Sequence, residues 1–86
     1  MPIIATFLGI IVRVYHDDHN PPHVHVQYGE YEAIVEISSG RFLSGRLPAR
    51  VKRLTTEWLH ARQEDIMGAW MMAQEHRVPP RVRPLE

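Results

Sequence analysis

The sequence predicts an α+β fold, an antiparallel meander of three to four strands packed on one long C-terminal helix. Three observations carry this expectation. Residues 7–45 hold short runs rich in Val, Ile and Tyr in which apolar and polar side chains alternate, with glycine-bearing turns between them. Beyond Pro48 the apolar residues recur at spacings of three and four, the period of a helix with one buried face. The chain has 86 residues and no cysteine. It therefore has material for one modest core, in which a sheet and a helix each bury one face against the other. The expected organisation is a single domain over 1–86, with the sheet in 7–45, the helix in 48–76 and an extended tail in 77–86.

Phe7 to Tyr15 reads as the first strand, after an extended lead-in over Pro2–Thr6. Ile10, Val12 and Val14 share one face, and Ile11, Arg13 and Tyr15 the other. His16 to Pro22 cannot continue it. Asp17, Asp18 and Asn20 favour turns, and Pro21-Pro22 fixes φ and removes two N–H donors. His23 to Tyr28 alternates strictly and forms the second strand; Gly29-Glu30 suits a two-residue hairpin loop with glycine first. Tyr31 to Ile37 is the third strand. The loop length sets the register: Tyr28 opposite Tyr31, Val26 opposite Ala33, His25 opposite Ile34 and His23 opposite Glu36. One hairpin face is then apolar, and the other carries His23, His25, Gln27, Glu32 and Glu36. Arg41 to Ser44 is a short edge strand after Ser38-Ser39-Gly40.

Pro48 suits the first position of the helix. Its expected buried stripe is Val51, Leu54, Trp58, Ala61, Ile66, Ala69, Trp70 and Ala73. Unbroken from Pro48 to Glu75 it would be roughly 42 Å long. A helix of that length either bends, near Arg62–Asp65 or at Gly68, or overhangs the sheet. An overhang exposing Trp70, Met71 and Met72 would give a surface for a partner or a second copy.

Net charge is formally zero but unevenly distributed. Residues 1–40 hold one basic residue against five acids, and residues 41–86 hold nine against five. The halves can pair with each other, or the basic half can face an acidic partner or nucleic acid. The apolar start, Met1 to Val12, has no basic residue and is too short to span a bilayer, so a cytoplasmic chain without membrane contact is expected. There is no glycine-rich phosphate loop, nucleophile elbow or cysteine nucleophile.

The chemically dense stretch is 16–26, which holds four of the six histidines. Three readings stay open. First, His16, His19, His23 and His25 can supply imidazole ligands to a divalent metal such as zinc. Second, His23, His25 and Glu36 can perform acid–base work on RNA, which carries its own nucleophile. His19, Arg41, Arg46 and Arg50 would then bind the target, the arginines through phosphate. Third, the histidines can be structural, tying the turn to the strand.

The Asp18-His19-Asn20-Pro21-Pro22-His23-Val24-His25-Val26 core resembles the small prokaryotic family called domain of unknown function 4160. So do Met1-Pro2-Ile3, Tyr28-Gly29-Glu30-Tyr31-Glu32-Ala33, Leu47-Pro48 and Pro84-Leu85-Glu86, and the resemblance spans almost the whole chain. It implies a role in a toxin–antitoxin-like pair, a protein partner of the domain of unknown function 2442 kind, and an RNA-related target. It implies no established catalytic residues.

Overall fold

A computed structural model describes residues 2–16 and 19–85. The Asp17-Asp18 pair of the connector lies outside the described residues, as do Met1 and Glu86. Seven elements follow in chain order: β1 (Ile3–Phe7), β2 (Ile10–Arg13), β3 (His23–Tyr28), β4 (Tyr31–Glu36), β5 (Phe42–Gly45), α1 (Ala49–Ala61) and α2 (Gln63–Gln74). The strands form one antiparallel sheet in the order β1-β2-β3-β4-β5, a meander. The fold is α+β as expected, with five strands instead of three or four and two helices instead of one.

The extra strand comes mostly from the expected lead-in, which pairs as β1, so the sheet begins before residue 7. Phe7 to Tyr15 is not one strand. Leu8 and Gly9, both at positive φ (52° and 82°), form a two-residue turn between Phe7 and its partner Ile10. That is the sign pattern of a type I′ hairpin, whose twist matches the strands it joins. Glycine takes this backbone freely, but leucine does not, and the Leu8 side chain is left 58% exposed. Replacing Leu8 with Asn, which tolerates the left-handed region, is expected to stabilise the fold by about 0.5–1 kcal/mol. Urea denaturation with an unchanged slope would register it; a destabilised variant would refute this account of the turn.

The expected facing of the second strand holds. Ile10, Val12 and Val14 are fully buried, whereas Ile11, Arg13 and Tyr15 are half-buried. The β3–β4 register matches the expectation at all six pairs, from Tyr28 opposite Tyr31 to His23 opposite Glu36. Gly29 has φ +57° and Glu30 is not among the positive-φ residues, as a glycine-first turn requires.

The helices cover one face of the sheet. Val12, Val24, Val26, Ala33, Val35 and Ile37 form one core with Val51, Trp58, Leu59, Ile66, Ala69 and Trp70. Phe7 meets Trp58 with ring centroids 5.6 Å apart. The chain breaks between α1 and α2 at Arg62 (φ −120°, ψ 28°), inside the stretch expected to bend. Gln63 explains the break: its side-chain amide donates to Leu59 O (3.3 Å) and to Ile37 O (2.8 Å). A side chain inserted at these carbonyls both interrupts the helix and pins it to the end of β4. The overhang does not occur. Trp70 is 7% exposed, although Met71 remains open at 54%. Three other positions depart from the expected stripe: Ala61 is exposed, while Thr55 and Leu59 are buried.

After α2 the chain turns at His76 (φ 59°) and runs back beside β1. Val82 N donates to Ile4 O at 2.7 Å, Trp58 Nε1 to Arg83 O at 2.8 Å, and Arg62 Nη2 to Pro84 O at 3.1 Å. The tail thus covers one edge of the sheet. Among the described residues no helix is long and apolar enough to cross a membrane.

Candidate functional site

With helices on one face only, the other face of the sheet is uncovered. Period-two alternation and antiparallel register bring onto it Arg13 from β2, His25 and Gln27 from β3, Glu32 and Ile34 from β4, and Ser44 from β5. With Tyr15, just past β2, they line a concave pocket of about 310 Å³.

The side chains in this pocket hold one another. Arg13 Nη1 donates to Gln27 Oε1 at 2.6 Å, a short charge-assisted bond. Tyr15 and His25 meet edge to face, with centroids 4.4 Å apart and planes at 83°. The Tyr15 carbonyl also accepts from Gln74 Nε2 (3.0 Å), so α2 braces Tyr15 from the far side of the sheet. His25 lies opposite both Arg13 and Ile34, at the centre of the face. These mutual bonds cut the freedom each side chain would otherwise lose on meeting a ligand.

The histidines do not act as one cluster. His23 is buried, and its Nδ1 lies 2.8 Å from Pro21 O. A carbonyl only accepts, so Nδ1 carries the proton and donates. His23 thereby ties β3 to the proline connector. Its ring is 5.2 Å from that of His25, centroid to centroid. Glu36 is opposite His23 in register, but its carboxylate accepts from the Ser39 hydroxyl, and Ser39 Oγ in turn accepts from Arg41 N (3.1 Å). Glu36 therefore serves the β4–β5 turn. His16 pairs its ring with that of His76 at 5.1 Å, beside a second hollow lined by Pro2, Ala73, Arg77 and Pro79. His19 is exposed on the connector. Among the described residues, no three His, Asp or Glu side chains converge in a group able to hold a metal ion.

Arg41 and Arg46 flank β5, and Arg50 sits in the first turn of α1; all three are exposed. They form a separate basic margin rather than part of the pocket. Of the residues expected on the polar hairpin face, His25, Gln27 and Glu32 line the pocket; His23, Glu36, His16, His19 and the three arginines lie outside its lining.

Sequence reasoning missed Arg13 and Tyr15 as partners of His25. Their outward facing was legible, but their register against β3 depends on the connector over 14–22, which no periodicity describes. His76 was missed as well, since 60 positions separate it from His16 and no pattern links them.

The molecule is thus a small α+β protein with one helix-covered sheet face and one open, polar, pre-ordered face. One family model matches it over residues 9–71, that of the domain of unknown function (DUF4160). The match covers most of the chain, and the protein belongs to this family. No curated protein and no solved structure matches it.

Proposed function

We propose that this protein is the recognition component of a toxin–antitoxin-like pair and that its working surface is the open face of the sheet. The observation that supports this most is the braced Arg13–Gln27 and Tyr15–His25 arrangement on a face that no helix covers. Arg13 and Gln27 offer donors, Glu32 offers acceptors, and Tyr15 and His25 offer ring surface. This mixture suits the side chains and backbone of a partner protein better than a run of phosphates, because the face carries the Glu32 carboxylate as well as a guanidinium. The partner we infer is a small protein of the domain of unknown function 2442 kind.

RNA enters this reading as the object of the pair's action. Tyr15 and His25 present rings to which an unpaired base can add. Binding fits the geometry better than cleavage. His23 and Glu36 are engaged with the connector and with the Ser39 turn, so the set expected in sequence does not assemble around one reacting position.

Co-expression with a small protein of the domain of unknown function 2442 kind, followed by co-purification, tests the proposal. The wild-type chain is expected to retain the partner. The Arg13→Ala/His25→Ala double variant should lose it by at least about tenfold in affinity while keeping its circular dichroism and melting behaviour. Retention of the partner by that variant, or harmless over-expression of both the lone chain and the lone partner, would defeat the reading.

A further inference from the structure

The sheet has two edges, and the fold treats them differently. The β1 edge is covered by the chain's own tail through Val82 N and Ile4 O (2.7 Å). Among the described residues the β5 edge has no such cover: β5 pairs with β4 on one side and with no strand on the other. An edge of this kind offers a row of backbone donors and acceptors to another extended chain. Arg41 and Arg46 stand at its two ends, and Arg50, Lys52 and Arg53 lie at the start of α1, all exposed. Lys52 is placed by the Phe42 ring, its Nζ 5.1 Å from the centroid. Glu30 and Glu32 share a shallow hollow with Arg46. Even so, among the described residues none of these five cations forms an ion pair with a carboxylate.

We propose that the outer edge of β5 is a docking site for an extended acidic segment of a partner protein, which adds to the sheet as a sixth strand. Charge decides between occupants. A second copy pairing antiparallel about the centre of β5 would set Arg41 against Arg46 and Arg46 against Arg41, and like charges directly opposite are unfavourable. An acidic segment reverses both contacts. Arg41 and Arg46 stand at opposite ends of β5, so the segment that fits has carboxylates near both ends and apolar residues between them, the latter meeting the exposed Leu43. The bulge at Leu43, where Phe42 and Ser44 pair with the adjacent Val35 and Ile34, further discourages indiscriminate edge pairing. Short length, bulge and flanking arginines thus act as a filter: they turn away another copy of the same edge and admit the opposite charge. This site is distinct from the open face and does not depend on the reading given for that face.

The test uses the full chain and a short synthetic peptide with glutamates at both ends and valine and threonine between. A peptide with lysines in place of the glutamates and a single-stranded oligouridylate serve as rival probes. Expected results are binding of the acidic peptide alone and weakening of that binding by added salt. Amide exchange should slow by about tenfold, confined to the β5 edge, because new backbone bonds protect it. Arg41→Glu/Arg46→Glu should weaken acidic-peptide binding by at least about tenfold and admit the lysine peptide. Arg41→Gln/Arg46→Gln provides the milder variant should charge reversal disturb folding, and it should weaken binding in the same direction. Preferential binding of the oligouridylate would overturn the proposal in favour of nucleic acid. It is equally overturned by protection that maps elsewhere, by indifference to both arginine pairs, or by self-association of the chain through β5.

Discussion

Gly45→Ala is expected to destabilise the protein by about 3 kcal/mol or more, a large share of the roughly 5–15 kcal/mol that holds a small domain together. Two costs coincide at this position. The backbone has φ +75°, which L side chains rarely adopt, and a Cβ would lie 2.2 Å from Glu32 O and 2.8 Å from Ala33 Cα. Those atoms belong to β4, whose place is fixed by β3 on its other side, so the clash is relieved only by prying β5 away. Gly29→Ala separates the two costs. Gly29 also has positive φ (+57°), but no atom lies within 4 Å of its added Cβ, so its loss should be about 1 kcal/mol. Urea midpoints of the two variants and wild type check this. Equal losses at both positions would show that backbone conformation alone is at stake and that the approach of β4 to β5 is not as tight as described.

Trp58→Ala should cost about 3–5 kcal/mol, the usual range for emptying a large buried aromatic site. Trp58 is fully buried, packs on Phe7 of β1 and donates its ring N–H to Arg83 O. It therefore joins α1, the sheet and the tail at one point. Trp58→Phe is the more informative change. It keeps most of the apolar bulk and removes the donor, so the global loss should be smaller, while the tail loses one of its anchors. Trypsin cleavage after Arg81 reports on the tail, since Val82 is buried and bonded to Ile4. Faster cleavage in Trp58→Phe, with the core still folded, is the expected pattern. Unchanged cleavage would mean that Val82 and Arg62 hold the tail without Trp58.

Much of this architecture was legible in the residues because local rules and global packing agree there. The β3–β4 hairpin is the clearest case: a two-residue glycine-first loop leaves only one register that buries Val24, Val26, Ala33 and Val35 together. Misreadings arose where a residue acts against its type. Leu8 stands in a turn position that ordinarily calls for Asn, Asp or Gly, so Phe7 to Tyr15 looked continuous. Gln63 breaks the helix through its side chain, although glutamine favours helices. Thr55 counted as polar and is fully buried. At the site, the alternation of β3 showed that His25 faces away from the core. It could not show that His23 bonds to Pro21, that Glu36 turns to Ser39 or that Arg13 and Tyr15 arrive from β2, because those depend on turns and register rather than period. The density of histidines in 16–26 therefore overstated how closely they work together.

The order of the strands has a consequence for how quickly the molecule assembles. Each strand pairs with the next one along the chain, so the sheet grows by closing short loops: two residues between β1 and β2, two between β3 and β4, five between β4 and β5. Only the nine residues between β2 and β3 ask for a longer closure. Neighbour-to-neighbour zippering of this kind avoids the entropic delay of joining distant segments. Mutations in the two tight hairpins should accordingly slow refolding, whereas those at the tail should mainly hasten unfolding.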